Sequence, residues 1–134
     1  MSPVRALAAV PASVAAARRF IEETLGDIPP EQRDATVLMV SELVANAVLH
    51  AGGELTVGIQ RSGDRIHVEV SDKAGGDPVA ENPDVNQTRG RGLFIVEQLS
   101  DEWGVERHTD GKTVWFLLLV PEAGETSQRA LLAK

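Results

Sequence analysis

Glu42 and Asn46 stand four residues apart in the stretch Ser41-Glu42-Leu43-Val44-Ala45-Asn46-Ala47-Val48-Leu49-His50-Ala51. On a helix that spacing stacks an acid and an amide one turn apart on a single face. An asparagine oxygen near a carboxylate suits Mg2+, which keeps most of its waters and takes few protein ligands. Two uses are open for such a pair. It can form a Glu–Asn hydrogen-bond bridge between packed elements, or it can line a polar site. A second acid, Asp72, ends a strand pattern in which Ile66, Val68 and Val70 face inward, and the same period puts Asp72 on that inward side. A carboxylate there needs a donor, and it could accept the exocyclic amino group of adenine. The third feature is Thr88-Arg89-Gly90-Arg91-Gly92 at the entry to a helix. Unpaired N–H groups, the positive end of the helix dipole and glycines that admit a phosphate to the backbone make an anion site. Arg89 and Arg91 add charge and donors suited to phosphate. In this order the pieces describe a Mg-ATP site.

The elements that position these residues follow from periodicity. Pro29-Pro30-Glu31 opens a helix that runs to Gly52-Gly53, with a missing N–H and a negative charge tolerated in its first turn. Val37, Val40, Leu43, Val44, Ala47, Val48 and Ala51 form one broad apolar face. Leu38, Met39, Ala45 and Leu49 fall on the other side, so the pattern predicts a helix buried nearly all round. His50, in the last turn, is expected to face the terminal carbonyls.

Ahead of it, residues 4–10 read as a short edge strand. Ser13 is then expected to cap a helix over about 14–25 that stops at Gly26. Arg5 and the alanine-rich run after it superficially suggest a signal peptide. Pro11 and the helical pattern beyond Arg18-Arg19 favour strand and then helix, and a cytoplasmic location is expected.

Leu55, Val57 and Ile59 alternate with polar residues before a turn at Ser62-Gly63-Asp64, and Ile66–Asp72 makes the return strand. Residues 73–90 lose all periodicity, a loop of lid length. A helix with Leu93, Val96 and Leu99 on its packed face follows. Two last strands, over 103–108 and 113–120, flank an Asp110-Gly111 turn. The final strand is apolar on both faces and so is expected to be central in its sheet. Residues 1–120 make one domain in this reading, and 121–134 read as a polar tail.

Composition excludes several classes. The 134 residues carry a net charge of −7, which argues against a nucleic-acid or anionic-membrane surface. There is no cysteine, hence no disulfide, thiolate metal site or cysteine nucleophile. No apolar run is long enough to span a membrane. Gly111-Lys112-Thr113 looks like the end of a P-loop, but Glu106 stands where a glycine is needed and a strand follows where a helix should. Gly90-x-Gly92 fails as a dinucleotide fingerprint because Ile95 occupies the third glycine position. His50, His67 and His108 lack metal-ligand spacing.

At these residues the sequence resembles the GHKL ATPase superfamily, and within it the small anti-sigma-factor serine kinases. Glu42-Leu-Val-Ala-Asn46-Ala-Val-Leu-His50-Ala looks like that family's N-box. Asp72-Lys-Ala-Gly-Gly76 looks like its first glycine box, Gly90-Arg-Gly92-Leu93 like its second, and Gly111-Lys-Thr113-Val-Trp115-Phe like its closing strand. The likeness spans roughly residues 10–120.

The resemblance implies a Bergerat-type α/β fold, a two-layer sandwich of a mostly antiparallel sheet and about three helices, with ATP and Mg2+ as cofactors. It implies that Asn46 holds Mg2+, that Asp72 recognises adenine with Thr113 helping through water, and that Gly76, Arg89, Gly90, Arg91, Gly92 and Leu93 serve the nucleotide. Glu42 would be the general base for phosphorylation of a serine on an anti-anti-sigma antagonist. A sigma factor would be the other partner, and a homodimer is expected from relatives. The alternative within this resemblance is a nucleotide-gated protein-binding regulator that moves little phosphate. One position departs from the family: the first glycine box has Ala74 where glycine is usual.

Overall fold

In the computed structural model, which describes residues 2–50, 53–73 and 92–121, two alternating segments pair through a two-residue turn. Strand β2 (Leu55–Ser62) and strand β3 (Arg65–Asp72) run antiparallel with Ser62 opposite Arg65. Gly63, first in the turn, takes φ +61°, the left-handed conformation that glycine-first two-residue hairpins require. Strand β1 (Val4–Leu7) lies along β2 as the edge strand expected there. A second hairpin, β4 (Glu102–His108) with β5 (Gly111–Leu119), joins the other flank through β5. The sheet order is β1-β2-β3-β5-β4 and every neighbouring pair is antiparallel. The doubly apolar β5 is therefore interior, as its composition predicts.

Helices α1 (Ala12–Thr24), α2 (Pro30–His50) and α3 (residues 92–99) supply the second layer. Ser13, Ala17, Phe20 and Ile21 on α1 and Val37, Val40, Leu43, Val44 and Ala47 on α2 point into one core. They meet Val57, Ile59, Ile66, Val68, Phe116 and Leu118 from the inner face of the sheet. This is the two-layer α/β sandwich anticipated, with a single core between helices and sheet.

Several local expectations change. Strand β1 is shorter than 4–10. Helix α1 begins at Ala12 behind Pro11, with no side-chain cap. Ser13 instead turns inward and donates its hydroxyl to the Ala8 carbonyl at 2.6 Å, satisfying a strand-end acceptor. Helix α2 is not buried all round: Leu38 is 46% and Leu49 68% exposed, while Glu42 and Asn46 are half-buried. A two-layer fold leaves one side of α2 facing solvent, whereas Met39 falls inside the covered arc. In α3, Val96 is fully buried but Leu99 is exposed. The last turn is Thr109-Asp110, because Gly111 already pairs with His108 inside the ladder. The polar tail lies outside the described residues apart from Pro121.

At the surface Arg61 on β2 donates to both carboxylate oxygens of Asp27, each at 2.7 Å. The hydrogen bond from Arg61 holds the Asp27 carboxyl below its ordinary range. A lowered folded-state value adds stability at neutral pH that disappears as pH falls through that value. Arg61→Gln is expected to return Asp27 to the ordinary carboxylate range in a carbon-detected NMR titration. The accompanying stability change should be small, since both groups are exposed.

Candidate functional site

The inner face of β3 continues past Val70 to Asp72, and the inner face of β5 continues from Phe116 and Val114 to Lys112. Asp72 and Lys112 are cross-strand partners in the register, so their side chains meet on the same face. Lys112 Nζ donates to Asp72 Oδ2 at 2.7 Å. Both are largely removed from water, with side-chain exposures of 5% for Asp72 and 16% for Lys112. A carboxylate ending a buried face needed a donor, and the adjacent strand provides it.

Helix α2 crosses above this strand end. Leu43, Asn46 and Ala47 from α2, Leu93 from α3, and Val70, Asp72, Lys112 and Val114 from the sheet enclose a small recess of about 20 Å³. The lining has the character of a small-molecule site, apolar walls with few convergent polar groups. Of the residues anticipated from sequence, Asn46, Asp72 and Leu93 are brought together here.

Gly92 explains how α3 reaches α2. A β-carbon at this position would stand 2.5 Å from Asn46 Nδ2 and 3.7 Å from the Glu42 carbonyl oxygen. The first residue of α3 therefore lies directly on the turn of α2 that carries Glu42 and Asn46. That turn sits beside a helix N-terminus, where amide N–H groups lack helical acceptors. Glu42 itself is half-buried one turn before Asn46 and is not among the lining residues of the recess. Gly92→Ala is expected to push the Asn46 amide aside at little cost to the fold, because the obstructed group is a side-chain end. Affinity for Mg-ATP should fall by about 10–100-fold, as when a partner that positions a ligand is lost. The melting temperature should hardly move, so calorimetric titration and thermal denaturation of the same variant check the two halves.

Gly111 sits at the other rim. A β-carbon there would overlap the Asp72 carbonyl oxygen. Only glycine lets the start of β5 approach the end of β3, which is what delivers Lys112 to Asp72.

Thr113 is placed differently from the role implied by resemblance. It is buried on the opposite, outer face of the sheet, where its hydroxyl is 2.8 Å from Ser71 Oγ and 3.0 Å from His108 Nε2. It does not line the recess. Lys112, passed over in the sequence, occupies the inward position. Stepping back in twos from Phe116 reaches Val114 and then Lys112, but only the β3–β5 register shows that this set faces the helices. Gly76, Arg89, Gly90 and Arg91 lie outside the described residues.

The donor chemistry fits the implied cofactors. Asn46 offers a hard oxygen at the rim of the recess, and Mg2+ is commonly held by one or two protein ligands together with substrate phosphates. Among the described residues no group of three or more His, Cys, Asp or Glu could hold a metal ion. No helix among the described residues is long and apolar enough to cross a membrane.

Comparison with known proteins agrees with this fold. A structure of the RsbU and RsbW domains of Rv1364c from Mycobacterium tuberculosis superposes with a TM-score of 0.68 at 21% sequence identity, over 88% of this chain and 32% of that one. A histidine kinase domain from the blue-light activated histidine kinase EL346 of Erythrobacter litoralis gives a TM-score of 0.54 at 22% identity, over 92% of this chain and 64% of that one. The chain thus spans about a third and somewhat under two thirds of these two structures. At such identities the likeness concerns the fold. A search of the curated proteins returns no significant match. The profile described as Histidine kinase-like ATPase domain matches residues 7–118, nearly the whole of the folded region, and the chain belongs to that family.

Proposed function

We propose that this chain is a Mg-ATP-dependent serine/threonine protein kinase acting as an anti-sigma factor. It phosphorylates a serine of an anti-anti-sigma antagonist and sequesters a sigma factor, regulating transcription. The observation that carries this reading is the contact of Gly92 with the Glu42/Asn46 turn above the Asp72 recess. It brings residues of all four sequence motifs to one place, the closing strand entering through Lys112 and Val114. The N-box likeness to anti-sigma-factor serine kinases supports the choice of acceptor, and the fold shared with a structure containing an RsbW domain is in keeping with it.

In this reading Asn46 holds Mg2+, Asp72 accepts from the adenine amino group, and Gly92 and Leu93 border the phosphates. Gly76, Arg89, Gly90 and Arg91 complete the nucleotide contacts. Bound Mg2+ supplies neutralisation of phosphate charge. Glu42 takes the proton from the attacking serine hydroxyl at its carboxylate. Glu42 favours an enzyme over a nucleotide-gated binding module, which has no need of a base on the same helix face as the metal ligand.

Saturating Mg-ATP is expected to stabilise the protein, by about 2.7 kcal/mol at a hundredfold excess over Kd. Incubation with γ-labelled ATP and a candidate antagonist should then place label on the antagonist. Stabilisation and complex formation without label would favour the nucleotide-gated regulator. Absence of any nucleotide-dependent shift would overturn both.

A further inference from the structure

Lys112 brings a cation into a recess otherwise lined by apolar side chains, one amide and one carboxylate. Its position is fixed twice over. The register sets it opposite Asp72, and glycine at 111 lets the strands approach closely enough for Nζ to lie 2.7 Å from Oδ2. An ammonium has three donors, of which the Asp72 contact uses one. The recess therefore presents an acceptor and a cationic donor side by side, at the spacing of adjacent polar atoms on the rim of a heteroaromatic ring.

The edge complementary to that pair carries an amino donor next to an unprotonated ring nitrogen. Adenine has this edge, with its 6-amino group beside N1. We propose that Lys112 is a base-reading residue: it donates to N1 of adenine while Asp72 accepts from the 6-amino group. The inference rests on the Mg-ATP reading above and adds the second half of base recognition. The hydroxyl of Thr113 is turned to the other side of the sheet and held by Ser71 and His108, so it leaves this place to Lys112. A charge-assisted hydrogen bond in a water-poor recess discriminates more strongly than one to a neutral hydroxyl.

The test titrates the full chain with ATP and with 1-deaza-ATP, in which C–H replaces N1, in the presence of Mg2+, and repeats both with Lys112→Met and Lys112→Arg. The wild-type protein should bind 1-deaza-ATP at least about tenfold more weakly than ATP. Lys112→Met should bind ATP weakened by a similar factor and no longer distinguish the two nucleotides, whereas Lys112→Arg should keep a preference. If Lys112→Met does not fold, the wild-type and Lys112→Arg comparisons carry the result. Equal affinity of the wild-type protein for both nucleotides overturns the role of Lys112. So does a Lys112→Met variant that retains the preference or binds ATP more tightly, the last meaning that the cation competes for Asp72 instead of assisting it. Failure of the wild-type protein to bind either nucleotide is a different outcome, which overturns the Mg-ATP reading and this proposal with it.

Discussion

Glu42→Gln is expected to reduce phosphoryl transfer to a serine acceptor by about 10²–10⁴-fold, the usual contribution of a positioned general base. Gln keeps the size and polarity of the side chain, so the packing of α2 against the sheet is undisturbed. Glu42 stands one turn from Asn46 and outside the recess of Asp72, and nucleotide affinity should accordingly stay within about twofold, well under 1 kcal/mol. The measurement is single-turnover transfer from γ-labelled ATP, set beside calorimetric titration of the same variant. Transfer at the wild-type rate would remove Glu42 from the chemistry. A parallel loss of binding would move its role from proton acceptor to nucleotide ligand.

Asp72→Ala is expected to be strongly destabilising. It removes the carboxylate from Lys112, whose side chain is only 16% exposed, and leaves an ammonium in an apolar recess. Breaking one half of a buried pair costs about 3–5 kcal/mol, because the surviving charge has lost both water and partner. Adding Lys112→Met should recover most of that loss, since no charge is then stranded. Urea denaturation of the wild-type protein, the single variant and the double variant reads both effects. A single-variant cost below about 1 kcal/mol would mean that Lys112 escapes to water. Nucleotide binding distinguishes the two variants from a purely structural account: stability returns in the double variant while recognition of the base does not.

Much of this arrangement was legible in the sequence, and the reason differs by element. The inward placement of Asp72 follows from the clean alternation of Ile66, Val68 and Val70 with polar neighbours, which leaves no ambiguity of face. The Glu42/Asn46 turn was visible because helical spacing alone sets which side chains share a face. On β5 the same logic gave no warning. Trp115, Leu117 and Leu119 are as apolar as Val114, Phe116 and Leu118, so hydrophobicity does not mark which set faces the helices. The family likeness drew attention to Thr113, and the parity that selects Lys112 needs the β3–β5 register.

The exposure of Leu38 and Leu49 was hidden for another reason. Periodicity shows that a face is apolar but not whether another element covers it. Ser13 does not cap α1 because a hydroxyl near a helix start donates to a nearby carbonyl as readily as it accepts from the helix's own N–H groups, and here it donates to Ala8.

On the side of the sheet away from the helices, Trp115 spreads its indole over Gly104 and stacks on His67 with ring centroids 5.5 Å apart. A β-carbon at Gly104 would lie within 2.7 Å of the indole nitrogen, so the glycine is the notch that lets the ring lie flat. One strand thus carries an aromatic tile on its back and a charged hook on its front. Because successive side chains leave a strand on opposite faces, substitutions on the tiled side reach the hook only through the shared backbone.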